Sequence, residues 1–504
     1  MNVTQLIALG PMIALAGAAV AIMLSIAVKR SFVLASVLAA GGMLSALLML
    51  IYQWREDPLQ ITALIRMDGF AHYYLFLLLL TGLAIVGFCY DYFKAQQGEN
   101  EELPLLLLTA LLGCSVLISS THFASFFMGL EILSISLFAL IGYPLNQARP
   151  LEAAIKYLVL SGVSSAFLLL GMALIYAQSG ELFFNAIGHY MADLQSLNRM
   201  ILCGILLIVV GLGFKLSLIP FHLWTPDVYQ GAPAPITAFI ATASKASVFA
   251  LLLRYFNTTD SFTYLPLQMV VSLIAGLSIL GGNLLALLQN NVKRLLAYSS
   301  IAHLGYLLVA FVAGRGASTE IANEAITFYL SAYLITLLGA FGVISMLSSP
   351  QEEAEDISNY RGLFWRRPGL ATAFTLMLLS LAGIPLTAGF IGKFYIFVSA
   401  MDKQLWGLLC AVIIGSGVGL YYYLKIIVVM SMKVEATDIE FSKPYPPARI
   451  SISILVSLIL LLIWLGVYPS LVIDAIQEKL ITSEVVDQTV NFCWYDFGCA
   501  GNIN

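Results

Sequence analysis

Four ionisable residues stand deep inside apolar runs: Glu131 in SFFMGLEILSISLF, Lys215 in GLGFKLSLIPFHLW, Lys245 in TAFIATASKASVFALLL and Lys393 in AGFIGKFYIF. A charge near the centre of a bilayer is costly, so each is a functional candidate by default. A single lysine of this kind can be explained by a structural hydrogen bond, but three lysines and a glutamate in four different runs are harder to explain that way. The residue types suit proton transfer. Burial in a low-dielectric site favours the neutral amine, and an approaching carboxylate restores the ammonium. Such lysines can be loaded and unloaded, which makes a proton relay with an electrostatic gate. Glu131 and Lys215 are expected to form the gating pair, with the proton passing to Lys245 and then to Lys393.

A second tier is weaker. Lys156 follows Glu152 by four residues near the start of its run, so an interfacial ion pair competes with a relay role. His222 follows Lys215 by seven residues, with Pro220 between them. His303, in SSIAHLGY, either carries protons or is a hydrogen-bonded core histidine. Lys425 follows the run Tyr421–Tyr423 and is close enough to a helix end to snorkel. Ser299, Ser300, Tyr329 and Tyr333 could hold waters between lysines, or could simply bind helices together.

The elements that position these groups must be membrane helices. The chain has 504 residues, of which 60% are hydrophobic and only 10% charged. Soluble domains carry about 25% charge, so the solvent for most of this surface is lipid. The net charge of −4 and the lack of a basic run argue against a nucleic-acid partner. A helix needs about 20 apolar residues to cross a bilayer. Spans are expected at 6–27, 31–52, 72–93, 103–120, 123–143, 152–178, 200–220, 234–255, 266–287, 293–313, 321–348, 369–400, 404–431 and 449–469. The fold class is therefore all-α, a polytopic membrane protein of about 14 transmembrane helices. The first span lacks a basic leader and is long enough to be a retained helix.

An even number of spans puts both termini on one side. One set of loops holds 12 Lys and Arg and the alternate set 7, so the first set is expected in the cytoplasm and both termini in the periplasm. Of the six cysteines, Cys89, Cys114, Cys203 and Cys410 read as small buried hydrophobes. Cys493 and Cys499, in the tail NFCWYDFGCAGN, are a candidate disulfide if that tail faces an oxidising compartment. No CxxC or ligand cluster points to a metal or iron–sulfur site, and no glycine-rich nucleotide motif follows a strand, so no cofactor is expected on this chain.

Two spans are abnormal. The run 200–220 has no clean stop. The run 369–400 would measure roughly 48 Å as one helix, against about 30 Å of hydrocarbon. Each contains a proline, Pro220 and Pro385, which should break the helix and free the carbonyls of Leu216 and Leu381. As spans seven and twelve they lie five apart. Two inverted five-helix repeats would make them equivalent members, with the transport site at the breaks. The corresponding organisation is 1–102 as an N-terminal three-helix segment, 103–258 as the first repeat and 259–432 as the second. A final helix occupies 433–470 and a polar tail 471–504.

The segments GLGFKLSLIPFHLWTPDVYQGAPAPITAFIATASK, KRLLAYSSIAHLGYLL and SLAGIPLTAGFIGKFYIF recur in this order and together resemble the antiporter-like membrane subunits of proton-pumping NADH–quinone oxidoreductase, respiratory complex I. The resemblance covers residues 1–470. It implies that Glu131 is the fifth-helix glutamate, Lys215 the lysine of the broken seventh helix, Lys245 that of the eighth and Lys393 that of the broken twelfth. It further implies a bacterial inner-membrane subunit without a redox centre, which moves protons through half-channels beside other membrane subunits. NADH, FMN, iron–sulfur clusters and quinone would belong to the complex as a whole. The alternative is a subunit of a multi-subunit monovalent cation/proton antiporter, which shares the charged broken helices; FIGKFYIF and GIPLTAGF favour the respiratory subunit. No family role carries onto the tail.

Overall fold

The structure is a computed structural model that describes residues 2–95, 99–144, 147–193, 198–314, 319–348, 353–433 and 449–479. The tail cysteines Cys493 and Cys499 lie outside the described residues. Helix follows helix along the chain. The order begins with α1 (Val3–Ala8), α2 (Gly10–Val28), α3 (Phe32–Tyr52), a hairpin of β1 (Leu59–Thr62) and β2 (Ile65–Met67), α4 (Gly69–Ala95), α5 (Leu103–Ser119), α6 (Phe123–Ile141) and α7 (Ala148–Ser179). It continues with α8 (Phe184–Ala192), α9 (Arg199–Lys215), α10 (Trp224–Gly231), α11 (Ala234–Phe239), a π-turn at Ile240–Ser244 and α12 (Lys245–Thr259). The rest comprises α13 (Leu265–Leu287), α14 (Val292–Ala313), α15 (Thr319–Leu347), α16 (Leu363–Arg366), α17 (Pro368–Ala382), α18 (Ala388–Asp402), α19 (Trp406–Ser431) and α20 (Arg449–Val467), followed by a helical stretch at 470–479.

Eleven of these helical segments are long and apolar enough to cross a membrane by length and composition, with α11, the π-turn and α12 forming one continuous segment; α5 and α17 are shorter apolar helices. The chain is an all-α membrane protein. Lipid rather than water faces the outer helices, which explains the many large apolar side chains exposed on α2, α3, α7, α13, α19 and α20. The inside is different. The segment Ala234–Thr259 is buried apart from Asn257 and Thr258 near its end, and α14 nearly wholly so. These two helices form the centre around which the others pack.

Small residues let backbones approach where hydrophobic drive between helices is absent. On α7 and α9, a Cβ added at Gly171 would meet the Gly204 carbonyl at 2.6 Å, and Ser164 donates to the Gly211 carbonyl at 3.1 Å. A buried bidentate pair ties α12 to the start of α4: the Arg254 guanidinium donates to both oxygens of Asp68 at 2.7 and 2.8 Å, while Asp68 caps the N–H of Ala71 at 2.8 Å. Burial alone would raise the Asp68 carboxyl, but the charge and hydrogen bonds of Arg254 hold it below the usual carboxylate range. Arg254, expected in a loop, thus lies inside a helix.

The two abnormal spans are interrupted, but not in the way the prolines alone suggest. Helix α9 ends at Lys215, five residues before Pro220, and α17 ends at Ala382, three before Pro385. The prolines sit in the linkers rather than in mid-helix. The chain turns at left-handed residues, Ser217 (φ 64°) in the first linker and Gly383 (φ 83°) and Leu386 (φ 72°) in the second. The long run 369–400 is therefore two 15-residue helices, α17 and α18. Two further cysteine expectations change: Cys89 and Cys114 are buried, but Cys203 and Cys410 are exposed on outward helix faces, where a thiol meets lipid as easily as core.

Candidate functional site

Lys215 is the last residue of α9, where the partial negative charge of the helix C-terminus favours a cation. Its ammonium is buried and donates to Ser134 Oγ on α6 and Ser161 Oγ on α7, each at 2.6 Å. The ring of Tyr157 lies 5.8 Å away. Glu131 stands one helical turn before Ser134 and accepts from Ser165 Oγ at 2.6 Å, and Ser165 is one turn beyond Ser161. Three serines thus touch one charge or the other: Ser134 and Ser161 accept from the ammonium, and Ser165 donates to the carboxylate. No ion pair within 4.0 Å joins Glu131 and Lys215, although the carboxylate is near enough to act on the lysine's charge. The serine hydroxyls beside the two charges are each both donor and acceptor.

Lys245 opens α12 directly after the π-turn, a widened turn of the kind often found at functional positions. It is fully buried in the middle of the segment Ala234–Thr259. Its ammonium donates to Ser300 Oγ at 2.7 Å and lies 5.4 Å from the ring of Tyr229. Ser300 is 2.6 Å from the Tyr333 hydroxyl and 3.4 Å from that of Tyr229. On the next turn of α14, His303 Nδ1 is 2.5 Å from the Tyr329 hydroxyl and Nε2 is 3.2 Å from that of Tyr423, which also bonds Ser299. His303 therefore stands inside a buried hydroxyl network together with the two serines and two tyrosines singled out from the sequence.

Lys393, on α18, reaches back across the second break. It donates to the carbonyls of Leu381 at 2.8 Å and Ala382 at 3.0 Å, the unpaired C-terminal acceptors of α17. The freed carbonyl of Leu381 was expected from the sequence; its use as a lysine acceptor was not. The Lys393 ammonium lies 5.2 Å from the ring of Tyr306, whose hydroxyl accepts from Asn283 at 3.1 Å, and Asn283 in turn accepts from Tyr422 at 3.0 Å. Asn283, Tyr306 and Tyr422 were missed. An asparagine in the apolar run LSILGGNLLAL was the available signal, because an amide inside a span needs partners.

The second tier divides. Lys156 pairs with Glu152 at 2.8 Å and Asp227 at 2.9 Å, and Asp227 also binds Arg294 at 2.7 Å, so this lysine belongs to a partly exposed ion cluster. His222 lies in the first linker with Nδ1 buried and unbonded, near Tyr298 and not joined to Lys215. Lys425 donates to Asn290 at 3.2 Å in an exposed contact, away from the buried network. One buried charge was read as a loop residue. Lys293 is fully buried, pairs with Glu353 and donates to the carbonyls of Gln230 at 3.1 Å and Ala232 at 2.6 Å. Glu353 also accepts from the Ala234 N–H at 2.8 Å and Tyr92 at 2.7 Å, so it caps α11 and ties it to α4 and α14. Among the described residues, no group of three or more His, Cys, Asp or Glu could hold a metal ion.

The polar groups inside the helices form successive clusters, Glu131 and Lys215 with their serines, Lys245 with Ser300 and Tyr333, His303 with Tyr329 and Tyr423, and Lys393 at the second break. Residues 120–419 match the family model described as NADH:quinone oxidoreductase/Mrp antiporter, TM. The chain belongs to this family. It is 51% identical over 430 residues to NADH-quinone oxidoreductase subunit N of Methylococcus capsulatus, covering 85% of this chain and 87% of the relative. It is 47% identical over 487 residues to the subunit of the same name from Ectopseudomonas mendocina, covering 95% and 97%. Among solved structures, a chain of respiratory complex I from Thermus thermophilus superposes with a TM-score of 0.79 at 34% identity, covering 92% of this chain and 99% of that one. The Mrp complex from Dietzia superposes with a TM-score of 0.81 at 18% identity, over 95% and 97%, which shows a shared fold only.

Proposed function

We propose that this chain is a proton-carrying membrane subunit of NADH:quinone oxidoreductase, a translocase subunit without redox chemistry of its own. The observation that carries the reading is the set of three lysines within apolar helices, Lys215 and Lys245 buried and Lys393 half-buried, each with hydroxyl or carbonyl acceptors and none paired directly to a carboxylate. Relatives named as subunit N of that enzyme support it. Glu131, Lys215, Lys245 and Lys393 are the proton-bearing groups. The serine, tyrosine and His303 hydroxyl network supplies positions through which protons or waters pass between them. NADH, FMN, iron–sulfur clusters and quinone react in other subunits, and their energy reaches this one through contact with neighbouring membrane subunits.

Glu131 acts through distance. When it approaches Lys215, the carboxylate stabilises the ammonium; when serines hold the two apart, the lysine is poised to lose its proton. The break after Lys215 provides the motion, because the chain there is already out of helical geometry at Ser217. The five-helix repeats, 103–258 and 259–432, place the two breaks in equivalent positions. Both termini face the periplasm. With the buried Arg254 of α12 and Lys293 of α14 both removed from the loops, the cytoplasmic set leads by eleven Lys and Arg to six. A cysteine placed at the N-terminus should react with an impermeant maleimide added to intact cells; reaction only after lysis would invert this topology.

The deciding experiment compares Lys245→Ala and Lys393→Ala in the assembled enzyme. Each should reduce proton pumping in membrane vesicles by roughly a hundredfold or more, the low end of what a positioned proton-transfer group contributes. Lys393→Arg should also be poor, because a guanidinium keeps its proton. Normal pumping at normal assembly would remove that lysine from the relay.

A further inference from the structure

An elongated apolar cavity of about 370 Å³ lies away from the relay, between α3, α4, α15, α20 and the helical stretch 470–479. Its walls include Phe76, Leu77 and Leu80 of α4, Leu334 of α15 and Leu461 of α20. Along α4 the lining runs from Tyr73 to Thr81. At 1.5 Å per residue that is about 12 Å. One leaflet of hydrocarbon is roughly 15 Å deep, half of the ~30 Å core. The slot therefore has the depth of one leaflet.

One end of the slot carries cations and aromatic residues. Trp54, at the end of α3, and Trp464, near the end of α20, line it there, as amphipathic rings do at a membrane–water boundary. Lys479 lies one helical turn beyond the lining residue Ala475, so both share a face of the 470–479 helix. Its ammonium donates to the Trp54 carbonyl and lies 5.0 Å from the Trp54 ring. Arg55, exposed, follows Trp54 directly and is close enough to act on the charge of Lys479. His72 also feels that charge, and its Nε2 is buried without a hydrogen-bond partner. Glu478 is the anionic neighbour of Lys479 and stands beside the same mouth.

We propose that this slot is a binding site for one phospholipid: an acyl chain fills the cavity, and the headgroup phosphate is held by Arg55 and Lys479. An amphiphile of this shape satisfies both parts of the site at once. Inside a bilayer, moving an acyl chain into an apolar slot replaces one apolar contact by another, so the slot alone gives little preference. Selectivity comes from the phosphate, which accepts charge-assisted hydrogen bonds from the two cations. The Glu478 carboxylate beside them favours a headgroup that also carries an amine. The site joins the N-terminal helix pair to α15 and α20, so a bound lipid also acts as a packing element between the ends of the chain.

The test uses the assembled enzyme purified in mild detergent, with lipids counted by native mass spectrometry. The probes are dioleoyl phosphatidylethanolamine, dioleoyl phosphatidylglycerol and ubiquinone, each added back after delipidation. The native enzyme should retain one phospholipid that Ala475→Phe, which fills the slot from the outer helix, does not. Arg55→Gln should weaken re-binding of phosphatidylethanolamine severalfold without changing assembly, and this exposed substitution guards against misfolding in the slot variant. Retention of the same number of phospholipids in native, Ala475→Phe and Arg55→Gln enzymes would overturn the proposal. So would occupancy by ubiquinone that excludes phospholipid, or protection of the slot by a neighbouring subunit in the assembled enzyme.

Discussion

Two of the three ammonium donors of Lys215 go to serine hydroxyls, and the carboxylate of Glu131 accepts from a third serine. A hydroxyl bound to an ammonium can turn its own hydrogen toward a carboxylate, and on the proposed function the serines between the two charges would transmit the influence of Glu131 and also limit it. Two expectations follow. Glu131→Ala and Lys215→Ala should each impair turnover in membranes, and the double variant should be no worse than the more damaging single one. Strictly additive losses would mean that the two residues act independently. Ser161→Ala removes one acceptor from Lys215 while leaving Ser134. A lost hydrogen bond to a charged group costs about 1.5–3 kcal/mol, so pumping should fall roughly tenfold or more while assembly is retained. Unchanged pumping in Ser161→Ala would show that the serine is only packing. At this scale the sequence was informative about charges and silent about partners. Lys215, Lys245 and Lys393 stand out because a lysine in an apolar run is costly wherever it points. Which hydroxyl each one reaches depends on helix rotation, which no local pattern encodes.

The interruptions are where element geometry controls the chemistry. In the second, the αL turn at Gly383 ends α17 and exposes the carbonyls that Lys393 uses. A Cβ at Gly383 would meet Lys393 Cδ at 2.9 Å and Nζ at 3.2 Å, on a backbone that already disfavours side chains. Gly383→Ala should therefore displace the ammonium from the Leu381 and Ala382 carbonyls and lower pumping by at least several-fold, while quinone reduction falls less. Pumping equal to the native enzyme would show that those carbonyls do not set the position of Lys393. The sequence located the breaks within a few residues through Pro220 and Pro385. It assigned them to mid-helix because a proline is a visible breaker, whereas Ser217 in a left-handed conformation carries no such signal. The Asp68–Arg254 clamp was equally illegible: its partners are 186 residues apart. Removing one side of a buried pair costs about 3–5 kcal/mol, so Asp68→Asn should lower the yield of assembled enzyme, read on native gels, more than Lys156→Ala does.

Across the whole molecule, the buried polar line ends at two half-covered groups. Glu131 and Lys393 are each of intermediate exposure in the isolated chain, whereas Lys215 and Lys245 are buried. Each end is flanked by large exposed apolar side chains: Met128 and Ile135 around Glu131 on α6, and Phe390 and Phe394 around Lys393 on α18. A charge half open to hydrocarbon is unfavourable, and a relay that ended there would leak or stall. The physical remedy is a neighbouring membrane subunit against each face, which also extends the polar line beyond this chain. Energy from quinone reduction then has a route into the subunit at one end and out at the other. The line of lysines and its cost are legible in the sequence; the open ends are not, because exposure depends on how fourteen or so apolar stretches arrange around α12 and α14. Cysteines introduced at Met128 and at Phe394 should react with a membrane-permeant maleimide when the subunit is expressed alone. In the assembled enzyme both should be protected, while a cysteine at the outward-facing Leu169 of α7 should react equally in both. Equal labelling of Met128→Cys and Phe394→Cys with and without the partners would mean that both ends of the line face lipid, and the coupling through neighbouring subunits would have to enter elsewhere.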